Sequence, residues 1–290
     1  MEFEKLDLKH KEMFEKYNHI GDPLSSVGSF TAHYMWKDGL DTEIYDSGSV
    51  LYMRRVEPPI VGFLPPLALD DDDLPEAIEA MANYAETHGY PRTIIDAEQW
   101  FLDKLKNYEI AHTFTEDPDN SEYLYSAEKL RTLSGKKFHS KKNHYNRFVK
   151  NQNYDVRPLK GHTEAALNMA RRWLEGRESP YTKGELIGID LAFQNIDILP
   201  ITGITVFVDG VCQAFTVCED ITDKAVLVHT EKANDDIPGL FTFVNSENQK
   251  VNHPHAEIVN REQDLGIEGL RKAKKSWRPI GMVDKFIINF

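Results

Sequence analysis

The same order of elements is written twice in this chain, at the same spacing. In the first half, SVLYMRRV (49–56) and PIVGFL (59–64) read as strands. Leu74-Pro75 opens the helix PEAIEAMANYAETHG, TIID returns as a short strand, and EQWFLDKLKNY follows as a helix. In the second half, 203–208 and 211–218 read as strands around the hairpin turn Asp209-Gly210. A third strand spans 225–230. Pro238 suits the first position of a helix, the short strand AEIV comes next, and GIEGLRKAKKSW is helical. Pro75 to Ile95 and Pro238 to Ile258 are both separated by 20 residues, and AEQW (97–100) falls where REQD (261–264) falls. MVDKFIINF closes the chain as a last strand.

Antiparallel strands followed by a helix that crosses over to a parallel strand make a small mixed sheet with flanking helices. This is the element order of the GNAT acyltransferase core. The expected fold is therefore α+β, with two tandem GNAT-like mixed-sheet domains at 1–125 and 151–290. A basic helical connector, 126–150, joins them. The 290 residues suffice for two such units, and a hydrophobic content of 41% can fill two cores.

The net charge of -13 argues against general nucleic-acid coating, yet positive charge is concentrated locally. From Arg131 to Lys150 there are seven Lys or Arg and no acid. Ser126 reads as the N-cap of a first helix and Gly135 as its break. Phe138, Tyr145 and Phe148 form one apolar stripe. Two readings compete: a solvated basic face, or an anion-binding ridge of Lys136, Lys137, Lys141, Lys142 and Arg147. In the second, Tyr145, His139 and His144 add stacking for a single-stranded end.

Several chemistries find no support. Walker, GxGxxG, HExxH and GxSxG patterns are absent. Cys212 and Cys218 fit no zinc or redox spacing and read as reduced core residues on one face of a strand. His253 and His255 flank a proline without an evident third ligand, so no metal site is expected there. Asp70 to Asp73 read as helix-capping residues rather than as a calcium loop. No apolar stretch reaches the length of a membrane span, and the N-terminus has no signal-peptide core, so the expected compartment is the cytoplasm.

Two stretches, YLYSAEKLRTLSGKKFHSKKNHYNRF and NREQDLGIEGLRKAKKSW, resemble a bacterial family similar to the C-terminal catalytic domain of phosphatidylglycerol lysyltransferase. The resemblance runs from SFTAHYMWKD (29–38) to the C-terminus. It implies a tandem GNAT fold like that of the Fem-type aminoacyltransferases. Their better-known members move an aminoacyl group from charged tRNA to a lipid headgroup or a peptide amine. The sequence has no counterpart of the multi-span membrane portion of the lipid-lysylating relatives, which weighs against a lipid acceptor.

The expected activity is N-acyl transfer, with aminoacyl-tRNA as donor, an amine or hydroxyl as acceptor, and no metal or redox cofactor. Asn260 to Asp264 leave the end of a parallel strand, where ligands gather in open sheets. Asp264 also suits the N-cap of the next helix, in which Ile267, Leu270 and Trp277 form the buried stripe. Glu262 or Asp264 is the expected general base, with Glu231 a further catalytic carboxylate. Arg271 or Lys274 is expected to stabilise the oxyanion or the terminal phosphate. His229, Asn260, Gln263 and Lys274 are the expected substrate contacts. An acyl-CoA donor is the alternative, but the loop EKANDDIPGLF has one glycine and sets Asp235 and Asp236 where a pyrophosphate would dock. A non-catalytic RNA- or lipid-headgroup-binding module is the third reading.

Overall fold

The computed structural model describes every residue except Glu57, Pro59 and Glu178, with the side chain of Pro180 also set aside. Pro59, the first residue of the expected strand PIVGFL, lies outside the described residues. Two compact units emerge. The first comprises 1–122, 263–266 and 283–290; the second comprises 123–262 and 267–282.

The sheet of the first unit runs in the order Glu4–Lys5, Thr42–Asp46, Val50–Arg55, Gly62–Phe63, Thr93–Ala97, Phe286–Asn289, Thr113–Glu116. Leu67–Ala68 pairs beside Val50–Arg55. Gly62–Phe63 and Thr93–Ala97 are parallel, as a crossover through a helix requires. That helix is Leu74–His88. Its buried residues Leu74, Ala77, Ile78, Met81 and Ala85 repeat at helical spacing, and Gly89 ends it at φ 69°. They pack with Phe63, Ile94, Phe101 and Ile288. Each such large apolar side chain stabilises by about 1.5–3 kcal/mol when fully buried. Of the four aspartates before the helix, Asp70 caps the 3-10 turn Asp71–Asp73 by accepting from the Asp72 N–H at 3.1 Å, while Asp73, at the N-cap of the helix, makes no side-chain cap bond. Asp71 pairs with Lys104, and Asp72 accepts from the Tyr108 hydroxyl.

The second sheet runs Gly281–Val283, Glu122–Ser126, Ile258–Asn260, Ala225–Ala233, Val211–Thr222, Ile204–Val208, Tyr154–Pro158. Ala225–Ala233 and Ile258–Asn260 are its parallel pair, joined through the helix Leu240–Val251. The element order of the first unit is thus repeated. This helix starts two residues later than Pro238 suggests, with Gly239 at φ 90° as its N-cap. Thr163–Leu174 and Pro180–Gln194 are two helices that the strand-centred sequence reading passes over.

The basic segment belongs to the second unit. Ser126 caps Ala127–Thr132, Gly135 breaks the chain at φ 93°, and His139–Asn151 is the long helix. Phe138 and Phe148 are buried, and Phe148 meets Phe243 at 4.5 Å between ring centres. Tyr145 is half-buried, stacks on Phe243 and donates to Glu247, so its ring serves the core rather than a base.

The C-terminal segment departs from the single expected strand. Gly281–Val283 pairs with Glu122–Ser126, while Phe286–Asn289 inserts between Thr93–Ala97 and Thr113–Glu116. Between them lies Lys285, 2% exposed. Its ammonium donates to Glu98 at 2.6 Å and Ser25 at 2.8 Å, and it pairs with Glu122 at 3.0 Å. Burial opposes its charge, but the Glu122 and Glu98 carboxylates outweigh burial and raise its pKa. Ser26 adds a hydroxyl at 2.6 Å to Glu122.

Lys285→Met would leave two carboxylates buried without their cation. The expected loss is about 3–5 kcal/mol of stability, read as a lower urea midpoint. An unchanged midpoint would show that backbone pairing alone holds the last strand.

Candidate active site

In the second unit a polar cluster gathers at the end of the parallel strand pair. Glu231 sits late on Ala225–Ala233, with its side chain only 7% exposed. Arg261 follows directly after Ile258–Asn260 and donates through Nη2 to Glu231 Oε1 at 2.9 Å. Asn245, on Leu240–Val251, donates to the other oxygen at 3.0 Å. Both carboxylate oxygens are therefore engaged, and the Arg261 fork is fixed from one side. Arg261 Nη1 and Asn245 Oδ1 are buried and have no hydrogen-bond partner. A donor and an acceptor thus flank one carboxylate without partners of their own, an unusual state for buried polar atoms.

Lys141 joins this cluster from the helix His139–Asn151. Its ammonium lies 4.2 Å from the centre of the Trp277 ring and donates to Ser276 at 2.9 Å. Burial, then the charge of Arg261, pulls its pKa down to about 8, with Glu231 acting against them. Arg261 also lies 5.6 Å from the Trp277 ring centre and 5.8 Å from that of Tyr125. Two cations, two aromatic rings and a carboxylate share the place.

Beside it, the His229 side chain is 2% exposed and held between two glutamates. Nε2 faces Glu219 at 3.4 Å and Nδ1 faces Glu262 at 3.3 Å. Burial alone would lower its pKa; the hydrogen bonds and charges of Glu219, then Glu262, prevail and raise it to about 9. At neutral pH His229 is therefore a cation set between the two carboxylates. Glu262 itself stands at φ 54°, and its N–H is bound by Asn260 Oδ1 at 2.7 Å.

The remaining expected residues are placed as follows. Lys274 donates to the backbone carbonyls of Arg261 and Glu262, so it braces the strand end from behind. Asp264 and Gln263 belong to the first unit. Asp264 is fully buried and accepts from the Gly266 N–H at 3.0 Å. It is not the helix cap: the helix is Glu268–Ser276, with Ile267 at the N-cap. The expected buried stripe also fails there. Ile267 is 49% and Leu270 37% exposed, and only Trp277, just past the helix, is buried. The face that carries Ile267 and Leu270 is left uncovered, so their spacing alone does not bury them. Arg271 is half-buried on it. Lys136, Lys137, Lys142, Arg147, His139 and His144 are exposed.

Sequence reading passed over Arg261, Asn245 and Glu219, gave Trp277 only a core role, and placed Lys141 in an anion-binding ridge. One signal was present: NSENQ interrupts an apolar helix, and Asn245, Ser246, Asn248 and Gln249 are all buried there.

Two further features bear on the donor. A Cβ on Gly239 would lie 2.1 Å from the His144 carbonyl oxygen, so the start of Leu240–Val251 is tightly covered by backbone. An open cleft of about 280 Å³ lies beside the preceding loop, lined by Arg172, Trp173, Arg177, Asn234, Asp235 and Asp236 among others. Asp235 is paired there with Arg177 at 2.6 Å.

Residues 22–289 match the family model described as phosphatidylglycerol lysyltransferase, C-terminal. The chain belongs to this family. A conserved protein of unknown function from Bacteroides thetaiotaomicron is similar in structure over 99% of this chain and 98% of its own, with TM-score 0.88 and 26% identity. The L-PGS structure from Bacillus licheniformis matches at TM-score 0.66 and 16% identity over 99% and 92% of the two chains. FemX matches at 0.57 and 11% over 100% and 97%. These last two share the fold, which is tandem GNAT-like, as the element order suggested. A Mycoplasmoides gallisepticum protein, uncharacterized protein MYCGA3080, is 22% identical over 197 residues, which is 66% of this chain and 61% of that protein. No described helix is long and apolar enough to cross a membrane.

Because the His229 pKa rises from 6.5 to about 9 on folding, its contribution to stability is full below pH 6.5 and is lost as pH rises through about 9. Urea unfolding at pH 6.5 and 9.5 should show a loss of roughly 3 kcal/mol that His229→Gln largely removes. Equal pH slopes in both proteins would contradict a charged His229.

Proposed function

We propose that the chain is an N-acyltransferase that moves an aminoacyl group from aminoacyl-tRNA to an amine or hydroxyl acceptor, with no metal or redox cofactor. The observation that carries this reading is the Glu231–Arg261–Asn245 arrangement, with two polar atoms unpartnered among the described residues, beside a lysine whose pKa is pulled down to about 8. The family match and the resemblance to aminoacyl-transferring relatives support it.

For an amine acceptor, its nitrogen attacks the ester carbonyl carbon. A C–N bond forms and the C–O bond to the terminal ribose breaks. The proton lost by the nitrogen ends on the departing ribose hydroxyl. Lys141, when neutral, is matched to take that proton and return it. Arg261 supplies a fixed N–H for the oxygen that gains negative charge in the tetrahedral intermediate. Glu231 and Asn245 position that guanidinium. Glu262, which faces His229 Nδ1 at 3.3 Å, is the second candidate base. The exposed Lys136, Lys137, Lys142 and Arg147 offer charge for the tRNA backbone.

An acyl-CoA donor keeps one observation in its favour: Arg172 and Arg177 line the cleft beside Asp235 and Asp236 and offset part of their charge. Against it stands the covered start of Leu240–Val251, where backbone N–H groups would otherwise meet a pyrophosphate.

Transfer of a labelled aminoacyl group should rise with pH and level off above about 8. Lys141→Arg should abolish that rise with unchanged thermal unfolding, and Arg261→Gln should lower the rate by roughly 10²–10³-fold in protein that still unfolds cooperatively, at a lower midpoint because Glu231 loses its cation. Full activity in folded Arg261→Gln would refute the assignment.

A further inference from the structure

At the opposite ends of the strands that carry Glu231 and Arg261, the turn His253-Pro254-His255 meets Asp220. The sequence shows two histidines without a third ligand; the fold supplies one from the end of Val211–Thr222. His253 Nδ1 lies 2.9 Å from Asp220 Oδ1, and His255 Nε2 lies 3.2 Å from the same oxygen. All three ligand atoms fall within 4.8 Å of one another. We propose that Asp220, His253 and His255 form a binding site for a divalent transition-metal ion of the zinc class.

The chemistry of the set selects this class. Two imidazoles and one carboxylate suit zinc and its neighbours, whereas calcium and magnesium call for oxygen ligands throughout. Bonds of about 2.0–2.1 Å in tetrahedral array place ligand atoms roughly 3.3 Å apart. Two edges of the triangle are already near that length. The third closes by rotation of His255, whose side chain is 42% exposed.

The surroundings are those of a held site rather than a chance meeting. His253 is fully buried, and its Nε2 lies 3.2 Å from Thr202 Oγ1. That hydroxyl also reaches the Cys218 carbonyl at 3.5 Å. Thr202 thus holds the Nε2 side of the ring and leaves Nδ1 turned to Asp220. Such an outer partner fixing the ring is the usual companion of a metal-bound histidine. The backbone is pinned as well: Arg131 donates to the carbonyls of His253 at 3.0 Å and Ala256 at 2.9 Å. The proline between the histidines restricts the turn further. Asp220 and His255 border solvent, which leaves the fourth position to water. The ion would clip the turn that feeds Ile258–Asn260. This proposal stands independently of the transfer reaction.

The test is a Zn²⁺ titration of the chelator-treated full chain by calorimetry, with Ca²⁺ as comparator. One zinc ion per chain should bind, and calcium should not. His255→Ala and Asp220→Asn, both at exposed side chains and so expected to fold, should each weaken zinc by about tenfold or more. Zinc should raise the melting temperature of the wild type but not of these variants. Absence of stoichiometric zinc binding would overturn the proposal. So would zinc affinity unchanged in both variants, which would place the ion elsewhere.

Discussion

A carboxylate just past a parallel strand must find a cation before it can be buried. The chain solves this problem twice. Glu98 follows Thr93–Ala97 and meets Lys285; Glu262 follows Ile258–Asn260 and meets His229. In low dielectric an isolated charge is so costly that it would be neutralised or expelled, so each pair fixes what surrounds it. In the first unit the pair ties the last strand of the chain into the sheet. In the second it keeps His229 charged and leaves Arg261, the residue before Glu262, to face Glu231.

The matching EQ positions in AEQW and REQD were therefore a true signal of repetition. So were the 20-residue spacings, because helix length plus a short return loop sets the distance between crossover helix and parallel strand. Strands bounded by turn residues, the Ser126 cap and the Gly135 break were legible because local chemistry decides them. The C-terminal segment was not. MVDKFIINF reads as one strand, but Lys285 in its middle is drawn into a buried ion pair with residues 187 and 163 positions away, which no local pattern records.

The site was legible only in part. Position at the end of a parallel strand pointed to residues 260–264, and alternation put Glu231 and His229 on one side of their strand. The partners came from elsewhere: Asn245 from the crossover helix, Lys141 and Trp277 from segments whose charge and aromatic content have ordinary surface and core explanations. Lys141 looks like one more lysine in a basic run. Only packing against Trp277 and Arg261 separates it from its neighbours. The stripe expected from Ile267 and Leu270 failed for the opposite reason: spacing was right, but nothing in the unit covers that helix face enough to bury them.

The donor proposed for this chain is charged tRNA. That donor is tested most directly by filter binding of the purified chain to a mixed aminoacyl-tRNA pool over a salt series, with deacylated tRNA and acetyl-CoA alongside. A charged-tRNA donor should give tighter binding of the charged pool and a steep fall with salt. Saturable acetyl-CoA binding with no retention of tRNA would contradict it.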